Sequence, residues 1–295
     1  MNTGNNRRLE TGIARLDKAL GGGLLPGTLT MVVGATGVGK TQFGMHFIHA
    51  SASEQGEHCG TVIDLSSRGD SQNHPAYYER MFGNSLSLAD PGSEKQYEPF
   101  SNGKPEDILP FLGYGGRRVL RSQMDVDQWH AWQSELNRRM PNLFRFIYSH
   151  LVHGTRRFII DGIEPQDDAS ESLQLDLLEL IYHRMLRQEH DWLAREVFRE
   201  NFLANQGQVQ QHAFDYQESA AMVLVTTKQS MLEQLMTEPL SDGDLVAGAN
   251  TVLLLGRKLV DGQMKRGLYI TKHRGSYADS RILNFDINDQ GLQFE

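Results

Sequence analysis

The sequence predicts an α/β fold: a mostly parallel sheet flanked by helices, with a β-rich C-terminal portion. Three observations predict it. Short apolar runs alternate with helix-period segments through the first two thirds of the chain, as strands joined by crossover helices do. A glycine-rich octapeptide, Gly34-Ala35-Thr36-Gly37-Val38-Gly39-Lys40-Thr41, stands between a strand-like run and a helix-like one. From Thr251 onward, short runs are split by turns such as Asp261-Gly262.

The elements follow in order. Residues 1–9 are polar and expected to be flexible. Ile13, Leu16 and Leu20 keep helical spacing, and Gly21-Gly22-Gly23 stops that helix. Pro26-Gly27 is a turn signal; Thr28 to Val33 reads as a strand; the glycine-rich loop follows, then a helix from Lys40 to about Ala52. Thr61 to Leu65 is a second strand. Residues 68–150 carry Asn, Gly, Pro and Ser clusters with little strand signal, and a helix is expected around Val126–Met140, with Trp129 and Trp132 on one face packing into the core. Phe158-Ile159-Ile160 is a buried strand ending at Asp161. Leu173 to Phe202 reads as one long amphipathic helix, through Leu177, Leu180, Ile181, Met185 and Leu186. Met222–Thr226, Thr251–Leu255, Gly267–Lys272, Arg281–Phe285 and Gly291–Phe294 read as further strands.

The 295 residues suit one large α/β domain or two small ones. The organisation expected is a domain over 10–295 with inserts at about 70–150 and 185–218. The net charge of −8 argues against broad non-specific contact with nucleic acid, without excluding a local basic groove. A single cysteine, Cys59, forms no internal disulfide. Polar Glu10, Thr11 and Gly12 follow Arg7 and Arg8 where a signal peptide would be apolar, and no apolar run is long enough for a membrane. A cytoplasmic protein is expected.

The octapeptide has the G-x-x-x-x-G-K-[ST] pattern of a P-loop. Its glycines let the backbone turn N–H groups toward phosphate oxygens, and the helix beginning at Lys40 adds its positive end. Lys40 is expected to reach the β- and γ-phosphates of a nucleoside triphosphate, and Thr41 to place its hydroxyl on Mg²⁺. A second contact to Mg²⁺, through a carboxylate, fits Asp161 at the end of its apolar strand. Other signals read as structural. His46 and His49, near His58 and Cys59, lack a second ligand pair with metal-site spacing. Arg117, Arg118 and Arg121, and the arginines at 184, 187, 195 and 199, read as solvated faces.

Thr11-Gly12-Ile13, Leu16-Asp17, Leu20-Gly21-Gly22-Gly23-Leu24, Gly27 and the P-loop together resemble the opening of KaiC-like ATPases of the RecA superfamily. Lys272-His273-Arg274-Gly275-Ser276 resembles their K-x-R-G-[ST] segment. The resemblance covers about residues 10–67, 156–162 and 220–295. It implies a RecA-type P-loop core, ring or filament assembly, and ATP held between subunits. Lys272 and Arg274 would then reach the γ-phosphate bound by a neighbouring copy.

One position departs from that pattern. The family's second strand ends in a pair of glutamates, at least one of which polarises the attacking water; here the chain reads Leu65-Ser66-Ser67. Serine is no comparable general base at neutral pH. Asp64 within the strand, Asp70, and Glu164 just past Asp161 are the candidates to compensate, none at the family position, with Glu164 carried forward. The leading expectation is an ATP-binding protein with weak or regulatory hydrolysis, whose occupancy controls self-assembly or a protein partner. The alternative is a DNA-dependent recombination ATPase, for which no added DNA-binding module or basic tail is visible. A self-phosphorylating kinase is a weaker third reading.

Overall fold

The structure, a computed structural model of the chain, describes residues 8–55, 60–66, 73–90, 98–112, 124–164, 173–238 and 247–295. One nine-stranded sheet organises it. In chain order its strands are β1 (Leu29–Gly34), β2 (Thr61–Asp64), β3 (Ile108–Pro110), β4 (Arg157–Ile163), β5 (Ala220–Thr226), β6 (Thr251–Val260), β7 (Gln263–His273), β8 (Leu283–Asn288) and β9 (Gly291–Phe294). The spatial order is β3-β2-β4-β5-β1-β6-β7-β8-β9. The strands from β3 to β6 in that order are parallel, and the sheet continues antiparallel through β7, β8 and β9. This is the predicted architecture, a mostly parallel sheet with a β-rich C-terminal portion.

Both faces of the sheet are covered, so its central strands are apolar throughout. Met31 and Val33 of β1, with Val223 and Val225 of β5, face a core shared with α4 (Val126–Val152), α5 (Leu173–Ile181), α6 (His190–Phe198) and α7 (Phe202–Gln211). Val32, Met222 and Leu224 face the opposite core, shared with α1 (Ala14–Ala19), α2 (Lys40–Gln55) and α3 (His74–Phe82). A last short helix, α8 (Leu232–Thr237), follows β5. Among the described residues no helix is long and apolar enough to cross a membrane.

The structure differs from the sequence expectation in three places. Residues 108–110 form a strand, parallel to β2, within the stretch that showed little strand signal. The helix expected to end near Met140 runs on to Val152 through Pro141. An internal proline costs about 3 kcal/mol or more. Burying Leu143, Phe146, Ile147 and Leu151 beyond it contributes roughly 1.5–3 kcal/mol each, which outweighs that cost. The single helix expected over Leu173–Phe202 is instead α5, a π-helical turn at Tyr182–Leu186, and α6, with α7 beginning at Phe202. The π-helical turn ends at Arg187, Glu189 is extended at φ −58° and ψ 143° before α6 begins, and Arg199 ends α6 at φ +47°, despite the continuous apolar spacing. Trp132 is buried as expected and stacks against half-buried Trp129.

Candidate nucleotide site

Parallel pairing brings the C-terminal ends of β1, β2, β4 and β5 to one side of the sheet, where open α/β sheets receive ligands. β1 delivers Gly34 there and the loop turns into α2 at Lys40. Gly37 and Gly39 adopt φ +76° and +112°, which an L side chain rarely takes, so these two glycines shape the cradle. Gly34 is held by proximity: a Cβ there would lie 2.4 Å from the carbonyl oxygen of Leu255 on β6.

Lys40 is buried under its own loop. Its Nζ donates to the carbonyl oxygens of Gly34 at 2.8 Å and Ala35 at 3.0 Å. Burial pulls its pKa down to about 8, against the opposing charge of Asp161. An incoming phosphate supplies a stronger acceptor than the two carbonyls and favours the charged amine.

Thr41 and Asp161, 120 residues apart, meet: Thr41 Oγ1 donates to Asp161 Oδ2 at 3.1 Å. Asp161 is 1% exposed, and its Oδ1 accepts the N–H of Gly162 at 2.7 Å. Gly162 has φ +95°, and a Cβ on it would fall 2.2 Å from the backbone nitrogen of Ser66. The Asp-Gly pair is therefore the device that brings the ends of β2 and β4 together. A hydroxyl and a carboxylate converging beside a phosphate cradle form the hard-oxygen donor set that Mg²⁺ accepts. The residues present fit that ion, and Thr41 and Asp161 are the two that would hold it.

The carboxylates weighed as replacements for the missing glutamates separate here. Asp64 lies directly opposite Asp161 in the β2–β4 register. Its Oδ1 accepts the N–H of Ser66 at 2.8 Å, and burial raises its pKa, with His74 opposing. Ser66 is 4% exposed, and its hydroxyl has no hydrogen-bond partner among the described residues. Glu164 follows β4 and is half-buried, its N–H donating to Gln174 Oε1 at 3.1 Å. Ser67 and Asp70 lie outside the described residues.

Two residues of this site were absent from the sequence reading. Gln174, on α5, donates from Nε2 to the carbonyls of Leu65 at 2.8 Å and Gly162 at 2.7 Å, clamping the ends of β2 and β4. His74, 2% exposed, lies with Nε2 3.1 Å from Asp161 Oδ2 and Nδ1 4.0 Å from Asp64 Oδ2. Burial works against its charged form, but the hydrogen bond to Asp161 and the charges of Asp161 and Asp64 outweigh it, so its pKa is raised. The one sequence signal for His74 was the helix-start pattern Asn73-His74-Pro75 soon after β2. Asn73 caps α3 by accepting the N–H of Ala76.

Lys272 and Arg274 are elsewhere. Lys272 pairs with Val252, and the N–H of Arg274 donates to Asn250, at the N-terminal end of β6. Gly34 lies beside Leu255 farther along β6. At about 3.3 Å per residue the two ends are roughly 10–17 Å apart along the strand. Lys272 Nζ donates to the carbonyl of Ala247, and burial followed by Arg274 lowers its pKa; Arg274 is exposed. His273 is tied to Thr251 and to the carbonyl of Leu20, and Arg8 donates to Ser276 and to the carbonyl of Gly23. The glycine-rich lead-in and the Lys-His-Arg-Gly-Ser segment thus lie side by side at the sheet end opposite the P-loop.

His46 and His49 have structural partners. His46 Nε2 accepts the N–H of Leu292, and His49 shares a hydrogen bond with the Tyr78 hydroxyl and stacks on Phe82. Cys59, His58 and Arg117, Arg118 and Arg121 lie outside the described residues.

Residues 9–65 match the family model of the KaiC ATPase. No curated protein matches the chain. Among solved structures, the fold is similar to that of a KaiC-like protein from the hyperthermophilic archaeon Pyrococcus horikoshii. The TM-score is 0.51 over 98% of this chain and 99% of that one, at 17% sequence identity.

Proposed function

We propose that this RecA-type ATP-binding protein, KaiC-like in its nucleotide-binding segment and its fold, holds ATP as a long-lived ligand and hydrolyses it slowly, its occupancy controlling self-assembly or a partner protein. The observation that carries this reading is the end of β2. Where the resembled ATPases place a glutamate, Ser66 is buried and its backbone is folded onto Asp64.

The binding half of the site is complete. The loop from Gly34 to Lys40 supplies backbone N–H groups, Lys40 stands ready to exchange carbonyl acceptors for phosphate oxygens, and Thr41 and Asp161 converge on one point. Mg²⁺ bound there would neutralise charge on the β- and γ-phosphates. The catalytic half lacks its base. General-base assistance contributes about 10²–10⁴-fold, so its loss favours occupancy over turnover. Glu164, three residues beyond Asp161, is the candidate to substitute for that base. Lys272 and Arg274 serve the γ-phosphate of a neighbouring copy. Binding shifts assembly because a ligand held by two copies stabilises the assembled state.

The test measures phosphate release and ATP binding on the same protein. Lys40→Ala is expected to remove most ATP affinity, by calorimetry on the folded variant; undiminished Mg²⁺-dependent binding would refute the assignment of the loop. Wild-type turnover is expected to be slow. Fast turnover abolished by Glu164→Gln would overturn the slow-hydrolysis reading and make Glu164 the base.

A further inference from the structure

His74 is the buried polar side chain at the site for which the nucleotide reading has no use. It opens α3, so a helix and not a loop carries it. That helix is docked on α2 by ring contacts, with His49 stacked on Phe82 at 3.7 Å between centroids and Tyr78 bonded to His49. The docking aims the imidazole between the ends of β2 and β4, toward two carboxylates paired in register, Asp64 and Asp161.

The contact with Asp161 is specific. Asp161 Oδ1 takes the N–H of Gly162, while Oδ2 takes the Thr41 hydroxyl and faces His74 Nε2, each at 3.1 Å. Donors on both oxygens fix the carboxylate's rotation. Without His74, Oδ2 keeps the short Thr41 side chain, whose hydroxyl must itself turn to any bound cation. A partner that fixes a ligand without touching the ion commonly controls its affinity.

We propose that His74 is a positioning residue of the nucleotide site: by donating from Nε2 to Asp161 Oδ2 it holds that carboxylate in the orientation that meets Thr41, and so sets the cation-dependent part of nucleotide affinity. The inference rests on the P-loop reading above. It differs from a packing role for His74, which would support α3 and the fold without distinguishing nucleotide bound with a cation from nucleotide bound alone.

The experiment titrates ATP into wild type, His74→Ala, His74→Gln and His74→Asn by calorimetry, once with excess Mg²⁺ and once with EDTA. A glutamine amide can reach the position of Nε2; an asparagine amide is too short. His74→Ala and His74→Asn are expected to lose about 10-fold of the Mg²⁺-dependent gain in affinity, with EDTA affinity unchanged, and His74→Gln to recover most of it. Equal losses with and without Mg²⁺, or an unchanged gain in every variant, would overturn the proposal. If His74→Ala fails to fold, the contrast between His74→Gln and His74→Asn decides. Wild type that binds no ATP in either buffer refutes the P-loop reading itself, a result distinct from wild type that binds normally and variants that keep its Mg²⁺ gain.

Discussion

At Asp17 a structural hydrogen bond and the burial of a charge pull in opposite directions. Its Oδ1 accepts the N–H of Thr11 at 2.7 Å, tying the lead-in to α1. Burial raises its pKa from 3.8 to about 6, the Thr11 hydrogen bonds opposing. The folded pKa lies above the unfolded one. Proton uptake therefore stabilises the fold fully below pH 3.8, and that contribution is lost as pH rises through about 6. At pH 7 the charged form costs on the order of 3 kcal/mol. Asp17→Asn keeps the acceptor and removes the charge. It is expected to raise stability at pH 7 by about 1–3 kcal/mol and to flatten the loss between pH 4 and 6, read by denaturant melts across pH. An unchanged slope would show that Asp17 is not its source. Gly162→Ala acts at the same scale with the opposite sign. With φ +95° and a Cβ 2.2 Å from the Ser66 nitrogen, it is expected to cost at least about 2 kcal/mol and to part β2 from β4, seen as a lower Tm and weaker ATP binding.

Between α6 and α7 a short 3-10 turn, Arg199–Asn201, begins at a residue with positive φ. Arg199 has φ +47° and ψ −118°, a conformation that suits glycine. Arg199→Gly is expected to stabilise the protein by about 1 kcal/mol, measured as a small rise in denaturant midpoint; destabilisation would show that the arginine side chain holds the corner. The same corner shows what sequence pattern can and cannot convey. Strands β1, β4 and β5 and the loop before α2 were legible because their signals are local: apolar runs, glycines and the Lys-Thr pair within a few residues. The break in the long amphipathic run was not, since helical spacing persists across it. β3 was hidden by its three-residue length and by Pro110, which suits an edge strand. The sites of Thr41 and Asp161 were read from motif position, and the structure brings the two together. His74 and Gln174 were illegible for another reason. Their partners lie 87 and 109 residues away, reached only when α3 and α5 fold back over the strand ends.

For the whole molecule, the decisive geometry is the distance between the two ends of one sheet. The P-loop sits at one end, and Lys272 and Arg274 at the other. Sedimentation is expected to show a larger species with ATP and Mg²⁺ than without, and Arg274→Ala to leave ATP binding by the single chain intact while lowering turnover by about 10-fold or more. The same monomer at every nucleotide and protein concentration would rule out a shared site. A contact that puts these cations on another copy's phosphate joins unlike patches, so it is head-to-tail and repeats from copy to copy. Completed sites can then be counted. A lone chain has none, an open row always has one fewer than its members, and a closed ring has as many as its members. Turnover per chain would rise with protein concentration toward one completed site per chain in either case, gradually for a lengthening row and steeply for a ring, because the last copy to join a ring would complete two sites at once.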